Sequence, residues 1–246
     1  MERINILGAF IHSITMDEAL LKIKEYVKKR ESVQIITINP EMVYESTNNC
    51  RFQKIINSCK LVVPDGYGIV WAAEKFGYHL KERVPGIELM DKILLFANET
   101  EYKVFFYGGH QKAIEKAVDN IKNKYPNLNI CGYANGFLNE DERDSLINRL
   151  ETIEPDFLFV GTGTPKQELF IHKFLPNLKS CIAMGVGGSF DVYSGMVKRA
   201  PKIWQTLHLE WLYRGITDPE RRKRLLVIPK YMKAVRKQKK NNKELK

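Results

Sequence analysis

The feature of this sequence that most constrains its fold is a series of short β-branched or aromatic runs that alternate with longer amphipathic stretches. The runs cover residues 33–38, 61–63, 104–107, 157–160 and 181–186. Each is predicted to be a buried strand. Predicted helices between them include residues 16–29, opened by the capping-box pair Thr15 and Glu18, and Gln111–Lys124. This alternation predicts an α/β fold, an open and mostly parallel Rossmann-like sheet with helices on both faces.

A small or polar cluster follows each predicted strand. The clusters are Thr37-Ile38-Asn39-Pro40, Pro64-Asp65-Gly66, Gly108-Gly109, Gly161-Thr162-Gly163-Thr164 and Gly185-Val186-Gly187-Gly188-Ser189. The carboxyl ends of parallel strands meet at one edge of a sheet, and ligands bind in the crevice outside that edge. These loops are therefore predicted to line a single site.

The charge of the chain is unevenly distributed. The formal net charge is +10, but residues 1–213 contain 26 Lys+Arg and 26 Asp+Glu, whereas residues 214–246 contain 13 and 3. We therefore predict an α/β core at residues 1–213 and a basic appendage at residues 214–246. Apolar side chains in the appendage recur at helical spacing among the cations, which indicates a basic amphipathic helix able to bind an anionic membrane surface. RNA binding, or a merely solvated end, is the alternative.

Cysteine and histidine positions give little support to metal or disulfide chemistry. The four cysteines have neither zinc-site spacing nor the density of a disulfide scaffold, which favours a reducing cytosol. The five histidines are scattered and there is no Asp-x-Asp, so we expect no metal. No segment has the length and apolarity of a membrane span, so any membrane attachment is expected to be peripheral.

Three of the loop clusters carry groups suited to chemistry. The Gly161 turn opens a helix, whose N-terminus can hold an anion, although packing is an alternative reason for its glycines. The glycine turn at Gly185 permits close approach to a diphosphate; Asp191 beyond it is expected to accept hydrogen bonds from a ribose or a base, or to cap a helix. Asp65 follows a buried strand, where partial desolvation would raise its pKa and suit it as a general base; a turn-forming role is the alternative.

An ordered set of motifs spans most of the chain. The motifs are Thr37-x-Asn39-Pro-Glu41, Pro64-Asp65-Gly66, Glu82-Arg83-Val-x-Gly86, Gly163-x-Pro165-Lys166-Gln167-Glu168, Gly185-Val-Gly-Gly-Ser-Phe-Asp191-Val-x-x-Gly-x-Val-Lys198-Arg199-Ala-Pro201 and Leu209-Glu210-Trp211-Leu-Tyr213-Arg214. Together they resemble the WecG/TagA/CpsF glycosyltransferase family, and its teichoic-acid branch most closely. The resemblance implies an inverting, metal-independent transferase without a cofactor. It also implies a cytoplasmic enzyme, peripheral on the inner face of the membrane.

The resemblance further implies a reaction and a set of residue roles. In the teichoic-acid branch, N-acetylmannosamine passes from its UDP derivative to undecaprenyl-diphosphate-linked N-acetylglucosamine; other branches use another UDP-sugar, such as N-acetylmannosaminuronic acid or glucose. Asp65 is implied to be the base that deprotonates the acceptor, and Arg83 to neutralise the departing UDP. Contacts to the donor are implied for Thr37, Asn39, Gln167, Gly187, Gly188 and Asp191, and contacts to the acceptor diphosphate for Arg214, Arg221 and Arg224.

Other classes of function remain alternatives. An RNA- or phospholipid-binding module with a basic tail would use the glycine loops only for packing, although the neutral body argues against nucleic acid as a partner. A nucleotide-sugar epimerase or an NAD-dependent enzyme would use the same type of sheet. A homo-oligomer is compatible with the sequence.

Overall fold

A computed structural model of the chain describes residues 1–197, 200–201, 203–204, 210–217 and 225–244. The chain begins with an antiparallel hairpin of strands β1 (Arg3–Ile6) and β2 (Ala9–His12). The remaining strands form one parallel sheet in the order β4-β3-β8-β7-β5-β6. They are β3 (Val33–Ile38), β4 (Leu61–Pro64), β5 (Lys103–Gly108), β6 (Asn129–Ala134), β7 (Phe157–Gly161) and β8 (Ile182–Gly185).

The predicted parallel α/β architecture is confirmed, and all five predicted strands belong to the sheet. The sequence reasoning missed β6 and the hairpin. Strand β6 lies at the edge of the sheet, and its residues are exposed or only partly buried, so it lacks the continuous apolar run of a central strand. Strands β1 and β2 have only four residues each, too few to give a clear periodicity.

Helices cover both faces of the sheet. They are α1 (Met16–Lys28), α2 (Pro40–Asn48), α3 (Cys50–Ser58), α4 (Tyr67–Phe76), α5 (Gly86–Asn98), α6 (Gln111–Lys124), α7 (Glu140–Ile153), α8 (Lys166–Phe174), α9 (Ser189–Tyr193), α10 (Glu210–Thr217) and α11 (Val227–Glu244). The capping box of Thr15 and Glu18 is confirmed at the start of α1, and α6 has the predicted bounds. The start of α1 follows from its capping residue, and the apolar period of both helices follows from the sequence.

The core lies on both sides of the sheet because successive strand residues point to opposite faces. Phe106 and Phe159 stack on the face covered by α1, α5 and α6. Phe105 and Leu158 face α7 and α8. Residues of β3 and β4 that point the same way as Leu158 pack against α2, α3 and α4.

Helix α11 packs against α2 and α4. Its Tyr231 and Val235 are buried in the same cluster as the residues of those helices, and Gln238 Oε1 accepts a hydrogen bond from the N–H of Leu7 at 3.1 Å. The division into a core at 1–213 and an appendage at 214–246 stays a prediction. In the part of the chain that the structure describes, no helix has both the length and the apolarity to cross a membrane.

Candidate active site

The loops that follow the parallel strands converge at the carboxyl edge of the sheet. The N–H of Gly136 donates to the carbonyl of Gly109 (2.8 Å), and the N–H of Gly109 donates to the carbonyl of Gly161 (3.1 Å). A Cβ atom at position 161 would lie 2.7 Å from the carbonyl oxygen of Gly187, so the two glycine turns touch through their backbones. Together the loops enclose a cleft of about 1020 Å³. That volume accommodates a ligand of nucleotide-sugar size.

Asp65 lies in the wall of this cleft at the end of β4. Its N–H donates to the carbonyl of Ile38 (2.8 Å), and its Oδ2 accepts the N–H of Gly86, the first residue of α5, at 3.3 Å. Gly66 next to it has a φ of +88°, in the left-handed region that favours glycine, and this lets the chain turn sharply into α4. The half-buried residue is thus held by two segments, its backbone by the end of β3 and its carboxylate by the start of α5, and it faces the cleft.

Thr37 and Asn39 line the cleft with Asp65. Thr37 Oγ1 would lie 2.8 Å from a Cβ atom at position 86, so glycine at the start of α5 allows Thr37 and the Asp65 loop to approach each other. Asn39 caps α2, since its Oδ1 accepts the N–H of Met42 at 3.0 Å. This capping bond leaves the amide NH₂ of Asn39 as its donor group toward a ligand.

Gln167 forms the opposite wall, where it holds the second glycine turn. Its Oε1 accepts the N–H of Gly187 (3.0 Å), and its Nε2 donates to Oε1 of Glu168 (2.6 Å). Glu168 is only 2% exposed, and burial raises the pKa of its carboxyl group. Thr164 Oγ1 also donates to Glu168 Oε1, at 3.3 Å. A buried polar cluster therefore lies directly under the Gly185–Gly188 turn and fixes its shape.

Gly187, Gly188 and Asp191 all line the cleft. Gly187 has a φ of +52°, and Gly188 occupies the N-cap position of α9. The alternative that Asp191 is itself the N-cap is therefore wrong, because Asp191 is the third residue of the helix. Its backbone carbonyl accepts hydrogen bonds from Ser194 Oγ (2.8 Å) and from the N–H of Val197 (3.0 Å).

Four arginines were singled out in the sequence, and the structure describes the surroundings of one of them, Arg83. Arg83 is half-buried in the loop before α5, next to Val84, whose N–H donates to the carbonyl of Pro64 at 2.8 Å. It adjoins the Asp65 loop without being one of the residues that line the cleft. Arg214 belongs to α10. Arg221 and Arg224 lie outside the described residues.

Two aromatic residues at the rim of the cleft were missed by the sequence reasoning. The rings of His110 and Phe137 stack, with centroids 4.2 Å apart and planes 16° from parallel, and Phe137 is 68% exposed. An exposed, flat aromatic surface beside a polar cleft is suited to stacking on a planar ligand group such as a nucleobase. The only sequence signal for it was a phenylalanine within the polar segment Asn135-Gly136-Phe137-Leu138-Asn139.

The cleft also contains cations that can compensate the charge of a diphosphate. Arg51, Arg143, Lys166 and Lys173 line it, and Lys166 is the first residue of α8. The helix N-terminus adds a partial positive charge. Among the described residues, no three His, Cys, Asp or Glu side chains form a group that could hold a metal ion.

Comparison with known proteins identifies the relatives of this chain. The sequence profile of the WecG/TagA/CpsF family of glycosyl transferases matches residues 4–245. A protein of Bacillus spizizenii strain W23 is 38% identical over 210 residues, which cover 85% of this chain and 81% of that protein. A protein of Staphylococcus aureus strain NCTC 8325 is 36% identical over 247 residues, which cover 99% and 96%. Both relatives are named N-acetylglucosaminyldiphosphoundecaprenol N-acetyl-beta-D-mannosaminyltransferase. The chain belongs to the WecG/TagA/CpsF family of glycosyl transferases.

Proposed function

We propose that this chain transfers N-acetylmannosamine from its UDP derivative to undecaprenyl-diphosphate-linked N-acetylglucosamine, with inversion at the anomeric carbon. One observation carries the proposal: Asp65 shares a cleft with the Gly187 turn and with the N-terminus of α8. A carboxylate and a diphosphate-binding surface are the two components that a transfer from a nucleotide sugar requires. The names of relatives that match most of the chain support this choice of donor and acceptor.

The donor would bind along the floor of the cleft. Its diphosphate would approach the Gly187–Gly188 turn, whose missing side chains permit close contact, and the positively polarised N-terminus of α8. Asp191 would accept hydrogen bonds from the ribose, and the base would stack on Phe137 at the rim. Gln167 would act mainly by holding Gly187, since both ends of its amide are hydrogen-bonded inside the protein.

The reaction would be a single displacement. A hydroxyl oxygen of the acceptor sugar forms a bond to the anomeric carbon while Asp65 accepts its proton. The bond from that carbon to the UDP oxygen breaks on the opposite face, and UDP leaves with the electron pair. Attack from the face opposite to the leaving group inverts the anomeric centre. The cations that line the cleft would neutralise the charge that develops on UDP, with Arg83 adding its charge from the adjoining loop. In other enzymes a metal ion performs this task.

The acceptor would reach the cleft from the inner face of the membrane. Arg214, Arg221 and Arg224 would contact its diphosphate, and the basic residues near the C-terminus would hold the protein to anionic lipid. The second candidate donor is the UDP derivative of another sugar, such as N-acetylmannosaminuronic acid or glucose. The contacts proposed above are made to the UDP part of the donor, so they do not select one sugar.

The test is an assay of Asp65→Asn beside the unaltered protein, with a panel of UDP-sugars, a short-chain lipid-diphosphate acceptor and EDTA in the buffer. We expect UDP-N-acetylmannosamine to be the best donor. The variant should lose roughly 100-fold or more in kcat, the factor typical of a general base, while its affinity for UDP stays unchanged. Unchanged turnover by the variant would remove Asp65 from the mechanism, and preference for another donor would revise the substrate.

A further inference from the structure

The C-terminal helix α11 contacts the segment that carries Asp65. Tyr231 of α11 is 1% exposed, and its hydroxyl donates to the carbonyl of Gly68 at 3.1 Å. Gly68 lies in the first turn of α4, which begins directly after Asp65-Gly66. This hydrogen bond joins residues that are 163 positions apart. Burial also raises the pKa of the Tyr231 hydroxyl, so the group stays protonated and remains a donor.

Gly68 is wedged between Tyr231 and the start of α2. A Cβ atom at position 68 would lie 2.5 Å from Cγ of Pro40 and 3.7 Å from Cε1 of Tyr231. Pro40 follows the cleft residue Asn39. The N–H of Ile69 donates to the carbonyl of Gly66 at 3.1 Å, so the turn that Tyr231 holds extends to the residue beside Asp65. Tyr231 thus holds the turn that follows Asp65 directly, and that turn packs against the start of α2.

We propose that Tyr231 is a positioning residue, which orients the Asp65 carboxylate by anchoring the first turn of α4 to the C-terminal helix. The inference rests on the proposed role of Asp65 as the base. Loss of the anchor would leave the nucleotide-binding turns on the opposite wall intact, because those turns are held by Gln167 and Glu168. The effect should therefore fall on the proton transfer and spare the binding of the donor.

The chain offers a matched control on the same helix. Gln238 makes a hydrogen bond of the same length, 3.1 Å, but its partner is Leu7, at the turn between β1 and β2. Both Tyr231→Phe and Gln238→Met remove one hydrogen bond between α11 and the core and retain the bulk of the side chain. Only the first removes a contact to the Asp65 segment.

The experiment compares these two variants in the full-length protein. We expect Tyr231→Phe to lower kcat about 3- to 10-fold, the factor that one hydrogen bond is worth, with KM for the UDP-sugar and the affinity for UDP unchanged. Gln238→Met should keep the wild-type kcat. It should lower the melting temperature by about as much as Tyr231→Phe does. Equal kcat values for the two variants, or a rise in KM alone for Tyr231→Phe, would overturn the proposal.

A double variant separates this inference from the proposed mechanism. In an Asp65→Asn background, Tyr231→Phe should leave the residual rate unchanged, because a residue that acts only through the carboxylate has no further effect once it is gone. A further drop in that background would show that Tyr231 acts elsewhere. Full turnover by Asp65→Asn alone would reject the base and this inference together. Loss of turnover by Asp65→Asn with normal Tyr231→Phe would reject the inference alone.

Discussion

At the scale of single residues, the cleft depends on side chains that hold other protein groups in place. Gln167 is the main example: it is 4% exposed, and its amide joins the backbone of Gly187 to the carboxyl group of Glu168. A backbone N–H without an acceptor in a buried place costs about 1–3 kcal/mol. The geometry of the proposed phosphate-binding turn is therefore set by one amide that lies beneath it.

Replacing Gln167 by methionine should weaken nucleotide binding. The side chain keeps its length but loses both hydrogen bonds, so Gly187 can leave the position that suits a diphosphate. We expect the Kd for UDP, measured by titration calorimetry, to rise roughly 5- to 100-fold. Gln53→Met is the control, because Gln53 Nε2 donates to Leu7 at 3.1 Å, in the hairpin. An unchanged Kd for Gln167→Met would show that the turn holds its shape unaided.

His12 should make the stability of the protein sensitive to mild acid. Burial and the charge of Arg3 lower the pKa of His12 to about 4. Arg3 Nε donates to His12 Nε2 (2.9 Å), and His12 Nδ1 lies next to the carbonyl oxygen (3.1 Å) and the N–H (3.0 Å) of Val62. Between pH 6.5 and pH 4 the unfolded chain binds this proton and the folded chain does not. Stability is therefore full above pH 6.5 and falls by up to about 3 kcal/mol as the pH falls toward 4.

The measurement is urea unfolding at pH 7 and at pH 4.5. The unaltered protein should lose more stability over this interval than His12→Asn, which has no proton to take up at this position. His172→Asn, on the exposed side of α8, should follow the unaltered protein. Identical pH dependence in His12→Asn and in the unaltered protein would contradict the expected role of His12.

At the scale of elements, the short helix α9 is fixed by the longer helices beside it. A helix of five residues is too short to be stable alone. Its Tyr193 hydroxyl donates to Asp91 Oδ1 of α5 at 2.9 Å, and the same oxygen accepts from Lys124 Nζ (2.6 Å) and from the Tyr125 hydroxyl (2.7 Å). Helix α5 thus contacts the Asp65 loop through Gly86 and holds α9 through Asp91.

Tyr193→Phe should loosen α9 and the two glycines that precede it. Because Asp191 and Gly187 belong to the proposed nucleotide site, we expect the Kd for UDP to rise about 2- to 10-fold, the value of one hydrogen bond. Tyr125→Phe removes a hydrogen bond to the same carboxylate from the residue that follows α6, and it should leave the Kd near that of the unaltered protein. An equal rise in the Kd for both substitutions would mean that the Asp91 carboxylate matters as such, and it would contradict a specific link through α9.

At the scale of the whole molecule, the C-terminal helix both packs against the core and carries cations. Tyr231 and Val235 are buried, whereas Lys230, Lys233 and Arg236 are exposed. Deleting residues 214–246 would therefore remove core side chains together with the charge. Membrane binding is better tested by substitutions that change charge alone.

Replacing Lys230, Lys233, Arg236 and Lys237 by glutamine should abolish salt-sensitive binding to anionic vesicles. Each cation near such a surface contributes about 1 kcal/mol, so a loss of at least roughly 10-fold in affinity is expected, with the melting temperature unchanged. The control removes the same charge elsewhere, from the exposed residues Lys54, Lys112, Lys116 and Lys122. Equal vesicle binding by the two variants, measured by sedimentation with phosphatidylglycerol vesicles, would exclude α11 as the membrane contact.

Features that depend on neighbours along the chain could be predicted from the sequence. The apolar period predicted five of the strands, the capping residues predicted helix α1, and the Pro-Asp-Gly break predicted the position of Asp65 at a strand end. The parallel arrangement then brings the loops to one edge, because crossover helices return every strand in the same direction. The ordered motifs also indicated the family to which the chain belongs, and the sequence profile confirms that family.

Contacts between distant segments were decided only by the tertiary structure. The hydrogen bond of Gln167 to Gly187 spans 20 positions, that of Gly86 to Asp65 spans 21, and that of Tyr231 to Gly68 spans 163. No local pattern encodes such pairs, since they depend on how the helices pack against the sheet. The sequence determined which chemical groups stand at the strand ends; packing decided which of them face the cleft and which hold the others in place.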